Sequence, residues 1–213
     1  MALLLEVPYE EKDEAKKLGA RWNPTLKKWY AQDKKDYPKF RKWILKGDST
    51  ETILCDCIYI IEGIHTCFRC NKKTRVVGLG IENYYNFGGY EEFENGYEYN
   101  EGEIRITSHI EPIPNKILDY VKKNYNYKKR YSKTIEEEYY ANCCEDCDVL
   151  QGDFFLFEEV DSPFWIEDEE AAKKLKLYKI PLKYDIIVDY TCEGIGSNDY
   201  LIKKYAPMFT LKL

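Results

Sequence analysis

YYANCCEDCDVLQGDFF, residues 139–155, sets Cys143, Cys144 and Cys147 within five positions. Cys144-Glu-Asp-Cys147 is a C-x-x-C pair. A second pair, Cys67-Phe-Arg-Cys70, lies upstream. Either one alone would also suit a redox dithiol. Together they supply four thiolates, the complete tetrahedral shell of a structural zinc site. The residue after the second cysteine of such a knuckle needs left-handed backbone, which Gly, Asn and Asp tolerate best. Asn71 follows Cys70 and Asp148 follows Cys147. The predicted ligands are therefore Cys67, Cys70, Cys144 and Cys147, and the predicted cofactor is a structural Zn2+.

Seventy-three residues separate Cys70 from Cys144, against about 15–20 in a compact ribbon. The metal must then staple two distant segments of one larger domain. Cys143 is too close to Cys144 to share the knuckle geometry and reads as a packed thiol or substitute ligand. Cys55 and Cys57, two apart on a strand, share one face and read as packed thiols, as does Cys192. Asp153 reads as an acceptor for a knuckle amide.

A four-thiolate site is closed and leaves no position for a reacting water, so the metal is expected to hold the fold. The chain has two histidines, His65 and His109. Residues 191–197 (TCEGIGS) lack the lysine and spacing of a phosphate loop. The expectation is a non-enzymatic protein.

Outward from the cysteines, the expected fold class is α+β. TILCDCIYIIEGI, RVVGLGI, EEEYYANC, GDFFLFEEV and KYDIIVDYTC read as strands, and NKILDYVKKNY, EDEEAAKKLKL and SNDYLIKKYA as helices. Residues 51–213 form a mixed, β-rich, zinc-stapled domain. Its acidic, aromatic stretch 82–103 reads as an irregular insert or long hairpin. Residues 1–47 read as a small β-α-β-α domain: strand LLLEV, helix EEKDEAKKLG stopped by Gly19, strand KKWYAQ, helix DYPKFRKWILKG.

Charge divides the chain the same way. The formal net charge is −6, yet residues 1–47 hold 12 Lys or Arg against 7 Asp or Glu. An overall negative balance argues against simple wrapping of nucleic acid, whereas the basic first segment suits phosphate contact. Arg21, Lys27 and Lys28 stand beside Trp29 and Tyr30, cations interleaved with rings that can stack on bases. A segment this short also needs its tryptophans as core. The chain has no basic n-region before its first apolar residues and no run of about 18 apolar residues. The expected location is cytoplasmic, where thiols stay reduced, with no membrane partner.

Residues 3–45 carry Val7-Pro8-Tyr9, Glu11-Lys12-Asp13, Ala15-Lys16, Leu18-Gly19-Ala20-Arg21-Trp22 and Lys28-Trp29-Tyr30. This series resembles the domain-of-unknown-function 5710 family of bacteria and mobile elements. It departs in that Lys27 holds the position two before the Trp. The resemblance implies a module that sits beside primases, topoisomerases or other DNA-handling modules, hence a nucleic-acid adaptor. Residues 139–156 are similar to an uncharacterised bacterial zinc-ribbon pattern, Y-A-N-H-C-x-x-C-G-x-x-Q-G-D-F-F-L, with Cys143 in place of His and Asp148 in place of Gly. The leading expectation is thus a zinc-binding, nucleic-acid-associated adaptor of a bacterium, phage or other mobile element, its partner DNA or a DNA-handling protein. The competing one is a protein-interaction module or inhibitor of a defence or replication enzyme. It would act through Tyr84, Tyr85, Phe87, Tyr90, Phe93, Tyr97 and Tyr99.

Overall fold

The computed structural model of the chain describes residues 1–44, 51–87, 96–133, 136–191 and 197–213. In chain order the first elements are β1 (Leu3–Leu5), α1 (Lys12–Lys17), β2 (Arg21–Asn23), β3 (Lys28–Ala31), β4 (Glu51–Cys55), β5 (Cys57–Thr66) and β6 (Lys73–Ile81). There follow β7 (Asn83–Phe87), β8 (Glu98–Asn100), β9 (Arg105–Thr107), β10 (His109–Glu111), α2 (Asn115–Asn124), β11 (Tyr127–Ser132) and β12 (Glu137–Asn142). The last are α3 (Glu169–Lys173), β13 (Lys176–Pro181), β14 (Ile186–Thr191), α4 (Ile202–Tyr205) and β15 (Met208–Thr210). The fold is mixed α+β. Cys192, Tyr90 and Phe93 lie outside the described residues.

The chain forms two compact units. One holds Met1–Cys57, Glu82–Gly102 and Pro181–Tyr190; the other holds Ile58–Ile81, Glu103–Ile180 and Thr191–Leu213.

In the first unit, acids lead α1 and lysines close it, the order that the helix dipole favours. Gly19 then takes φ +101, a value costly for a side chain with a Cβ. Between α1 and β3 the structure adds the short strand β2, absent from the expected β-α-β-α order. Asn23 Oδ1 accepts from the backbone N–H groups of Thr25 and Leu26 at 3.1 and 3.0 Å, an Asx-type closure of a tight hairpin. Where an α-helix is expected over residues 36–47, the structure has a 3-10 run over Lys34–Trp43 with Pro38 inside it, and residues 45–47 lie outside the described residues; proline has no N–H to give to an α-helical ladder.

Leu3, Leu5, Ala15, Ala31, Tyr37 and Phe40 share one apolar cluster with Ile53, Tyr85 and Phe87. Strands run in the order β14–β4–β7–β8, with Ile53 opposite Tyr85 and Tyr85 opposite Tyr99. Tyr84, Tyr85 and Phe87 are buried, and Tyr97 and Tyr99 pack on the same cluster. The described rings of the 82–103 stretch are therefore packing groups. Asp185, 2% exposed, ties the unit together: it accepts from Tyr37 Oη at 2.6 Å and from the Asp56 amide at 2.9 Å.

In the second unit, strands run β15–β13–β5–β6–β9. The β5–β6 hairpin pairs from Tyr59 opposite Gly80 to Thr66 opposite Lys73, and its turn is the first knuckle. β11 and β12 form a second hairpin, from Tyr127 opposite Asn142 to Ser132 opposite Glu137, and β12 leads into the second knuckle. The GDFFLFEEV stretch, expected as a strand, is a short π-helical turn over Phe154–Glu158. Leu156 and Phe157 are both buried while Phe154 and Phe155 are both exposed, a pattern that strand alternation cannot produce. Phe157 seats against Gly78, where a Cβ would lie 3.1 Å from its ring, and stacks on Phe164 at 4.7 Å. No helix among the described residues is long and apolar enough to cross a membrane.

Candidate metal centre and the N-terminal sheet face

All four predicted cysteines lie in the second unit and meet. Cys67 Sγ stands 3.6 Å from Cys147 Sγ, and Cys70 Sγ stands 3.6 Å from Cys144 Sγ. All four sulfurs lie within 4.8 Å of one another. Tetrahedral bonds of about 2.3 Å place sulfurs about 3.8 Å apart, so the arrangement can hold one metal ion.

The two knuckles are built alike. In the first, the Cys67 amide donates to Lys72 O at 2.9 Å and the Asn71 amide to Cys67 O at 2.8 Å. In the second, the Cys144 amide donates to Val149 O at 2.9 Å and the Asp148 amide to Cys144 O at 3.0 Å. Asn71 and Asp148 carry positive φ, 57 and 60. Backbone N–H groups turn toward the sulfurs. Burial alone would raise the Cys67 thiol; the Cys70 and Arg69 amides and the Cys147 sulfur outweigh it and bring its pKa down to about 6. Gln151 Nε2 donates to Val149 O at 2.9 Å and reaches Cys67 Sγ at 3.6 Å.

Two devices bring the distant halves together. Asn142 pairs with β6 as a strand residue would: Val77 N–H donates to its Oδ1 at 2.8 Å, and its Nδ2 donates to Val77 O at 2.9 Å, both buried. Arg75 grips Glu145 through Nε at 3.0 Å and a terminal nitrogen at 2.6 Å, and Lys72 meets Asp146 at 2.6 Å. Arg75 holds the Glu145 carboxyl below its usual range against the upward pull of burial. Exposed pairs such as Lys72–Asp146 contribute only about 0–1 kcal/mol each, so they orient the knuckles more than they stabilise them. Asp148 is held by Lys128, Arg130 and Asn126, which lower its pKa. Sequence reasoning passes over Lys128 and Arg130; their spacing of two on a strand, hence one face, is the available signal.

Cys55, Cys57 and Cys143 are buried cysteines outside the cluster. Asp56 has φ 68 and interrupts the strand between the first two. Asp153 does not serve a knuckle amide among the described residues. Burial, with Glu158 nearby, pushes its carboxyl up to about 7. His65 lies on β5 and is not part of the cluster; burial lowers its pKa.

In the first unit the strands run β1–β3–β2. Arg21 faces Tyr30, Trp22 faces Trp29 and Asn23 faces Lys28. Leu3, Leu5 and Ala31 point into the core, so alternation turns Arg21, Lys28 and Tyr30 outward on one surface. Arg21 and Lys27 are exposed. Lys28 is ion-paired with Glu6, which weakens it as a phosphate contact. Trp29 packs partly on the core, and Trp22, 48% exposed, meets its ring edge-on at 5.6 Å.

A mixed α+β chain with a four-cysteine cluster and a small basic sheet is the class that these features define. Residues 3–44 match the family described as Domain of unknown function (DUF5710). Two proteins named DNA primase TraC, both from Escherichia coli, are similar to part of the chain. One is 51% identical over 49 residues, 23% of this chain and 3% of the relative. The other is 46% identical over 43 residues, 20% and 4%. The chain thus spans a small fraction of the length of the curated relatives it matches. No solved structure matches the chain.

Proposed function

We propose that the chain is a non-enzymatic, zinc-stapled adaptor associated with nucleic acid in a bacterium, phage or other mobile element, working in the cytoplasm. The observation that carries this is the outward register of Arg21 and half-buried Tyr30 on β2 and β3, with exposed Lys27 in the turn between them, inside the segment that matches DUF5710, in a chain part of which is similar to DNA primase TraC. Cations beside a ring suit phosphate and base contact. Zinc suits the cluster because four sulfur donors at tetrahedral spacing are its structural ligand set. With every position filled by protein, such an ion contributes to folding and leaves none open for a substrate. Burial of Tyr84, Tyr85 and Phe87 removes much of the aromatic surface that a docking reading of the 82–103 stretch needs.

The test is fluorescence anisotropy of a labelled DNA oligonucleotide with the full chain across a salt series. Binding that weakens with salt, and that drops at least about tenfold in Arg21→Ala/Lys27→Ala/Tyr30→Ala, supports the proposal. A parent protein that binds neither DNA nor RNA at low salt ends it.

A further inference from the structure

Residues 116–133 hold seven Lys or Arg against one Asp, in a chain whose formal net charge is −6. They span α2 and β11 of the second unit, far in sequence from the N-terminal sheet. The hairpin sorts these cations by face. Lys128 and Arg130 turn to one side, where both are held by Asp148 of the second knuckle. Tyr127, Lys129 and Tyr131 turn to the other. There Lys129 lies directly opposite Tyr140.

Two elements, α2 and β11, converge on that ring. Lys122 Nζ from α2 stands 5.8 Å from the Tyr140 centroid, and Lys129 Nζ from β11 stands 5.6 Å from it. Tyr127 stacks on Tyr140 at 5.9 Å with planes 13° apart, and Tyr131 on the same face is 58% exposed. No carboxylate of the described residues pairs with Lys122, Lys123 or Lys129. Acids do border the patch: Asp119 lies on α2, and Glu137 and Glu138 open β12, Glu138 opposite Tyr131. They limit the positive field to the Tyr140 end.

Ammonium groups over the half-buried Tyr140 ring, on the face that carries the exposed ring of Tyr131, are the elements of a single-strand platform: cations follow the phosphates and an exposed ring takes an unstacked base. A duplex keeps its bases stacked inside, out of reach of such rings. We propose that the α2–β11–β12 face binds single-stranded nucleic acid, with Lys122 and Lys129 at the phosphates and Tyr131 stacking on a base. The choice of partner rests on the nucleic-acid reading above; the residues are separate from those of the N-terminal sheet.

The experiment titrates the full chain into labelled oligo-deoxythymidine over a salt series, with zinc content and circular dichroism checked for each variant. Lys122→Ala/Lys129→Ala is expected to weaken binding about tenfold. It should also reduce the slope of log K against log salt by about 1.4, since each phosphate neutralised on a single strand adds about 0.7. Tyr131→Ala is expected to weaken binding about tenfold with the slope unchanged, because stacking releases no counterions. Lys122→Arg/Lys129→Arg is expected to retain parental affinity. If Lys122→Ala/Lys129→Ala and Tyr131→Ala both bind as the parent does, while Arg21→Ala/Lys27→Ala/Tyr30→Ala abolishes binding, the platform is overturned and the N-terminal reading stands. The reverse pattern upholds the platform and removes the N-terminal reading. Binding of the parent to phosphatidylserine vesicles but not to the oligonucleotide overturns it in favour of a membrane contact.

Discussion

Asn71 and Asp148, 77 positions apart in sequence, hold the same place in the fold. Each is the left-handed residue after the second cysteine of its knuckle, with φ 57 and 60. Each donates its amide to the carbonyl of that knuckle's first cysteine. The two halves of the site are thus copies of one backbone device, placed face to face by the β5–β6 and β11–β12 hairpins. Asp148 adds a role that Asn71 lacks, because its carboxylate also anchors Lys128 and Arg130.

That difference predicts different tolerances. Asn71→Gly keeps the backbone angle and should leave thermal stability within about 0.5 kcal/mol. Asn71→Val forces a branched side chain into left-handed space and should cost about 1–2 kcal/mol or more. Asp148→Gly keeps the angle but loses the anchor, so it should fall between them. Thermal melts of the three variants check the order.

The cysteines should separate cleanly. Cys70→Ser or Cys144→Ser should remove the metal and unfold the second unit, since structural zinc contributes about 10–16 kcal/mol in small peptides. Cys143→Ser, at a buried thiol outside the cluster, should keep the metal and cost about 1–3 kcal/mol for burying a hydroxyl. Metal quantification together with circular dichroism distinguishes these outcomes.

In the first unit, Tyr37→Phe removes the 2.6 Å hydrogen bond to Asp185 and leaves that buried carboxylate with the Asp56 amide at 2.9 Å. The expected loss is about 1–3 kcal/mol, read as a lower urea midpoint with an unchanged slope.

Asp153 gives a pH signature. Its folded pKa, about 7, lies above the ordinary value of 3.8. The folded chain therefore keeps a proton that the unfolded chain has released, and this contribution to stability declines as pH rises from about 4 through about 7. Asp153→Asn should be more stable than the parent at pH 8, with the gap narrowing toward pH 6. Urea titrations across that range check it; a gap that widens toward pH 6 contradicts the assignment.

The meeting of the four cysteines was legible because knuckle chemistry is local. Cys-x-x-Cys followed by Asn71 or Asp148 is a short-range signal of ligand and backbone together. The N-terminal segment was legible in part for a related reason: the acid-then-lysine order of α1, Gly19 and the Trp-Tyr strand are all short-range. What sequence did not disclose depends on tertiary packing. Phe154–Glu158 has strand-like composition, but Gly78 opens a seat for Phe157 that a helical turn fills better. Lys34–Trp43 has helical charge order, yet Pro38 and the inward-facing Tyr37, Phe40 and Trp43 wind it into the tighter form. The described rings of 82–103 resembled a surface because the elements that pack on them lie elsewhere in the sequence.

The central claim is that four sulfurs from two remote knuckles share one ion. Elemental analysis with native mass spectrometry of the full chain tests it most directly. One zinc per chain is expected, lost in both Cys70→Ser and Cys147→Ser; a chain free of metal, or one that keeps its ion after either substitution, contradicts it.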